Sequence, residues 1–73
     1  MDFSQRLSSL LIERQITAYR LSKDTGISDS MIARWKSGER SPSLENLLAI
    51  ADYFDVSIDY LLGRTDDPEA HRS

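Results

Sequence analysis

The 73-residue sequence has no cysteine, one histidine (His71), two prolines and three glycines. Without cysteine there is neither a disulfide framework nor a thiolate metal site, and one histidine in a polar tail does not make a metal cage. No metal and no cofactor are expected. No apolar run approaches the roughly twenty residues that cross a bilayer, and the N-terminus lacks a basic stretch followed by an apolar one. A cytoplasmic chain without a membrane segment is the expectation. Asp24 and Asp29 are the one carboxylate pair to weigh for acid–base work. Neither a second nucleophile nor a glycine-rich phosphate loop accompanies them, so no enzyme is expected.

An overall excess of basic charge is also missing, since the formal net charge is -3. The distribution is less even than the total. From Arg14 to Arg40 six basic residues (Arg14, Arg20, Lys23, Arg34, Lys36, Arg40) face three acidic ones (Asp24, Asp29, Glu39). From Ser41 onward Glu45, Asp52, Asp55, Asp59, Asp66, Asp67 and Glu69 face only Arg64 and Arg72. One basic and one acidic face would follow, although plain surface solubility explains the charge equally well.

What is present is helical periodicity in a chain long enough for one small core. A first helix is expected over Asp2 to Arg14, with Phe3, Leu7, Leu10 and the Arg14 stem on its inner side, Leu11 buried and Ile12 exposed. Thr17 caps a second helix containing Ala18, Leu21 and Ser22, which Gly26 ends. Ile27 then plugs the turn. Ser28 caps a third helix, Asp29 to Ser37, in which Ile32 and Trp35 face inward and Gly38 closes the end. Trp35 is read as core rather than as a base-stacking ring. After a short loop containing Pro42, Ser43 caps a fourth helix whose apolar face is Leu44, Leu47, Leu48, Ile50, Ala51 and Phe54. Ser57 caps a short fifth helix with Ile58, Leu61 and Leu62 inside and Gly63 after it. Residues 65–73 are polar and expected to be a loose, disordered tail, which makes 1–64 the folded domain.

The spaced pattern Ile16-Thr17, Leu21, Gly26-Ile27-Ser28, Ile32, Arg34-Trp35, Gly38, Pro42-Ser43-Leu44 and Leu47, continued by Tyr60-Leu61-Leu62-Gly63, resembles the helix-turn-helix of Cro-like and phage-repressor proteins, the XRE family. The resemblance implies an all-α, five-helix, lambda-repressor-like bundle whose third helix enters the major groove of DNA. The sequence departs from the family at Ala18, where many members carry a phosphate-contacting Gln. Backbone N–H groups there remain available. It also departs at Leu11 and Lys36, where many members pair an Arg with a Glu; packing of Leu11 under the lysine stem replaces an ion pair.

Arg34 points away from the core and its guanidinium matches guanine O6 and N7, so it is the candidate for direct base reading. Asp29 complements the helix dipole and, in a groove, repels phosphate or accepts from a cytosine amino group. Ser30, Met31 and Ala33 complete the reading surface, with Met31 or Ala33 able to touch a thymine methyl. Lys36, Ser37 and Arg40 are expected on phosphates. Tyr19 is either a surface tyrosine or a hydroxyl within reach of a phosphate, and Tyr53 and Tyr60 are either interface or partly buried residues.

Val56, Ile58, Tyr60 and Leu62 offer more apolar surface than a short helix needs, and a homodimer through the fifth helix is expected. The leading function is a sequence-specific repressor binding a palindromic operator. Alternatives are the antitoxin of a toxin–antitoxin pair, or a protein-interaction module whose DNA-reading surface has decayed.

Overall fold

The computed structural model describes residues 1–69. Asp2, Thr17, Ser28, Ser43 and Ser57 each stand one residue before a helix, and each side chain accepts a backbone N–H from that helix's first turn. The helices they start are α1 (Phe3–Arg14), α2 (Ala18–Thr25), α3 (Asp29–Ser37), α4 (Leu44–Phe54) and α5 (Ile58–Leu61). Asp2, expected as the first residue of α1, is its cap. It forms a reciprocal box with Gln5, accepting from Gln5 N at 2.9 Å while Asp2 N donates to Gln5 Oε1 at 3.0 Å. A cap of this kind contributes about 1 kcal/mol, so the helix starts are fixed by local chemistry.

The ends are less uniform. Gly26 and Gly38 take left-handed conformations (φ 81° each), as glycine allows, but Gln15 and Asp55 do the same at φ 56° and 60°. Neither is a glycine. Each donates its N–H back to the helix it ends, which compensates for the unfavourable backbone.

Helix α1 lies against α3 and α5, α2 against α3 and α4, and α4 against α5. Leu7, Leu10, Leu21, Ile32, Trp35, Ile50, Phe54 and Leu61 fill the space between them, all fully buried. The Phe3 ring meets Trp35 edge-on at 6.0 Å, which confirms the structural role of the tryptophan. Leu11 is buried and Ile12 exposed, as expected.

Three expectations fail on packing. Leu44 and Leu48 are 69% and 45% exposed, because α4 is covered on the flank of Leu47, Ile50, Ala51 and Phe54 and bare on the other. Leu62 follows the last residue of α5 and is likewise exposed, leaving Leu61 as the inward leucine. Arg14 does not lay its stem in the core; its guanidinium donates to the Phe54 carbonyl at 3.0 Å and joins the ends of α1 and α4.

The start of the expected loose tail is docked. Arg6, which the sequence reading passed over, is only 7% exposed. Its guanidinium stacks on the Tyr60 ring at 3.8 Å, donates to the carbonyls of Tyr60 (2.8 Å) and Thr65 (3.1 Å), and pairs with Asp66 at 3.5 Å. Ser57 N donates to the Pro68 carbonyl at 2.7 Å, so residues 65–68 strap over the start of α5. Residues 70–73 of that tail lie outside the described residues.

Candidate nucleic-acid interface

Helices α2 and α3 meet across a turn that is closed by side chains as well as by backbone. Gly26 N donates to the Ser22 carbonyl at 2.8 Å, Ser22 Oγ reaches over to the Ile27 carbonyl at 2.6 Å, and Thr25 Oγ1 donates to the Leu21 carbonyl at 2.7 Å. No Cβ would meet anything within 4 Å at Gly26, so the glycine is required there by its positive φ and not by crowding. Leu21 below the turn and Ile32 beyond it are both fully buried, which sets the angle between the two helices. Ser28 Oγ then accepts from Met31 N at 3.2 Å and starts α3.

With Ile32 and Trp35 inside, α3 leaves Asp29, Ser30, Ala33, Arg34, Lys36 and Ser37 exposed. Asp29, Ser30, Ala33 and Arg34 are residues the sequence placed on the reading surface, and Lys36 and Ser37 are two it expected on phosphates. Met31 differs: it is half-buried and packs against the core, so less of it is available to a thymine methyl. Ser37 also has an inward task, since its hydroxyl donates to the Arg34 carbonyl at 3.0 Å. Arg40 is exposed in the loop after α3, and its backbone N–H bonds to the same carbonyl at 3.3 Å.

At the other edge of this face, Thr17 Oγ1 accepts from Arg20 N at 3.0 Å and Ala18 is partly buried. Tyr19 is 63% exposed, with the Lys23 ammonium 5.6 Å from its ring centre. Between α1, the start of α2 and the end of α3 lies an open groove of about 520 Å³ lined by Leu11, Ile12, Ile16, Ala18 and Lys36. Leu11 forms its buried floor and Lys36 its exposed rim. The Lys36 carbonyl accepts from Ser4 Oγ at 2.6 Å, tying the end of α3 to α1.

Asp24 has a structural task. Its Oδ2 accepts from Arg20 Nε at 2.8 Å and from the Tyr53 hydroxyl at 2.6 Å, so one carboxylate joins α2 to α4. The Tyr53 hydrogen bond, with that of Arg20, holds the Asp24 carboxyl below its usual range, and the same carboxylate pushes the Tyr53 hydroxyl up. Reading Tyr53 by itself gave no signal of this. Its partner lies twenty-nine residues away.

The expected dimer surface shrinks. Val56 is 3% exposed and belongs to the core, because the turn at Asp55 directs it under α4. Tyr60 is covered on one face by Arg6, and Ile58 is half-buried against the core. Leu62 remains exposed. Among the described residues no three His, Cys, Asp or Glu side chains gather as a metal site, and no helix is long and apolar enough to cross a membrane. His71 lies outside those residues.

Comparison with known proteins bears on this arrangement. Residues 6–67 match the model of the Cro/C1-type HTH DNA-binding domain. An uncharacterized HTH-type transcriptional regulator of Bacillus subtilis, YobD, is 36% identical over 67 residues, covering 92% of this chain and 60% of that protein. The HTH-type transcriptional activator BcrR of Enterococcus faecalis is 34% identical, covering 85% of this chain and 30% of that one. The cryptic phage CTXphi transcriptional repressor RstR of Vibrio cholerae is 36% identical, covering 88% and 57%. The crystal structure of a transcriptional regulator from Listeria innocua superposes with a TM-score of 0.79 at 32% identity, over 85% of this chain and 58% of that one. The chain thus spans 60% or less of the length of each of these relatives.

Proposed function

Because this chain belongs to the Cro/C1-type helix-turn-helix DNA-binding domain family of transcriptional regulators, we infer that it binds a specific DNA sequence through α3 and represses transcription. The observation that carries the reading is the division of α3: Ile32 and Trp35 are fully buried while Asp29, Ser30, Ala33 and Arg34 stand exposed on the opposite side. A helix anchored in this way presents a rigid, polar surface to base edges. Arg34 reads a base, Asp29, Ser30 and Ala33 shape the preference, and Lys36 and Arg40 bind phosphates. Tyr19 and the backbone N–H groups at Ala18 add phosphate contacts at the start of α2. The setting is the cytoplasm.

Repression needs only occupancy of a promoter. A phage repressor, RstR, stands among the relatives and supports this sign of regulation, alongside an activator, BcrR. The active form is a two-fold dimer on a palindrome, with recognition helices about 34 Å apart. Ile58, Tyr60 and Leu62 supply the edge of its interface, without Val56. A second reading, a protein-interaction module, draws on the exposed Leu44 and Leu48 within the acidic half of the chain.

Selection of random duplexes by the purified protein at a stated salt concentration separates the readings. Recovery of a palindrome whose binding weakens steeply with salt is the expected result. Recovery of no preferred duplex favours the interaction module.

A further inference from the structure

Glu39 is the residue beside the bare face of α3 to which the reading above gives no task. Its position is set by backbone. The Arg34 carbonyl accepts from Glu39 N at 2.9 Å, Ser37 Oγ at 3.0 Å and Arg40 N at 3.3 Å, besides the Gly38 N–H that caps the helix. Gly38, at φ 81°, permits the reversal. The chain after α3 therefore folds back over its last turn and brings Glu39 Oε2 to 3.9 Å from Arg34 Nε. That separation is an ion pair rather than a hydrogen bond, and both side chains keep access to solvent, at 47% and 67% exposure.

A guanidinium has two donor edges. One uses Nε, and the other presents Nη1 and Nη2 side by side. Guanine offers O6 and N7 as neighbouring acceptors, which two terminal nitrogens can engage together. We propose that Glu39 is a positioning residue for base reading: it holds the Nε edge of Arg34 toward the 38–40 loop and leaves the Nη1–Nη2 edge for the base. The proposal rests on the reading of Arg34 as the base-contacting residue. A second effect accompanies the first. A carboxylate at the rim of a DNA-binding face repels phosphate on every sequence, so Glu39 lowers general affinity while it sharpens preference.

The test uses the duplex recovered by selection, carrying guanine at the position read by Arg34, and three duplexes with the other base pairs there. Wild type, Glu39→Gln, Arg34→Ala and the double variant are titrated against all four. An exposed pair biases side-chain populations by only a factor of a few, so Glu39→Gln lowers the preference for guanine about two- to fivefold. It also tightens binding to every duplex. In the Arg34→Ala background the same change alters affinity alone. If Glu39→Gln leaves the preference intact while Arg34→Ala lowers it, the role of Glu39 is overturned and that of Arg34 stands. If Arg34→Ala leaves the preference intact, the reading of Arg34 fails and takes the proposal with it.

Discussion

Helices α3 and α5 are both short, and they are held by different means. Helix α3 drives two fully buried side chains, Ile32 and Trp35, into the core and leaves its other side bare. Helix α5 has four residues and buries only Leu61. Its position depends on a buried cation: Arg6 stacks on Tyr60, bonds two carbonyls, and gathers the strap of residues 65–68 over the Ser57 cap. An element that presents a polar surface to a partner can be secured entirely from behind. One too short to bury enough apolar area needs directional bonds from elsewhere in the chain.

Removing the cation is the strongest way to break this comparison. Arg6→Ala should cost about 2–4 kcal/mol, since it takes the charged donor from the Thr65 carbonyl, leaves the Tyr60 carbonyl to the Gly63 N–H at 3.1 Å, and opens space beside the Tyr60 ring. Denaturant titration gives the total. Hydrogen exchange shows where it falls, with protection lost first at the amides of Ser57 and Leu61 and retained longer at Ile32. Equal loss at both helices would mean that α5 is not separately secured.

A smaller effect is expected where α3 meets α1. Leu11→Ala should cost about 1–3 kcal/mol, because its side chain is buried at the floor of an open groove into which neighbours can relax. Thermal melting measures it. A change within error would show that Lys36 and α3 do not depend on this packing.

These two sites also show what the sequence made legible. Thr17, Ser28, Ser43 and Ser57 act as caps on their own neighbours, and Ile32 and Trp35 share one face of one helix, so local rules reach them, whereas the sequence places Asp2 as the first residue of α1 and not as its cap. Leu11 was readable for the same reason. Arg6 was not, because its partners lie 54 to 60 residues away and nothing local marks an arginine for burial. Leu44 and Leu48 look inward on α4 until the placement of α2 and α5 decides which flank is covered. Residues 65–68 are polar in composition but ordered by bonds that composition does not reveal. At the interface, the outward residues of α3 were legible from periodicity, whereas the turn that brings Glu39 to Arg34 required the fold.

The smallest effect concerns the link between α2 and α4. The hydrogen bond from Tyr53 keeps the Asp24 carboxyl below its ordinary value of about 4, with a further contribution from Arg20. The stability this supplies is fully present above that ordinary value and is lost as pH falls through the depressed one. Tyr53 has the opposite sign. Its hydroxyl titrates above the usual value of about 10, so its share is complete below that pH and is lost as pH rises through the raised value. Tyr53→Phe should move the Asp24 midpoint upward, with Arg20 still holding it below the ordinary value. Carboxyl NMR titration reads this directly, and an unmoved midpoint would mean the hydrogen bond is absent in solution.

The central claim, that the bare side of α3 reads sequence while its end and the following loop supply general affinity, is tested by titrating Arg34→Ala and Arg40→Ala against the selected duplex and a scrambled one at two salt concentrations. Arg34→Ala should cost about 1–3 kcal/mol on the selected site and relax preference at one base pair per half-site. Arg40→Ala should weaken both duplexes alike and reduce the salt slope by about one. Equal weakening of both duplexes by Arg34→Ala would make it a phosphate contact and contradict the account.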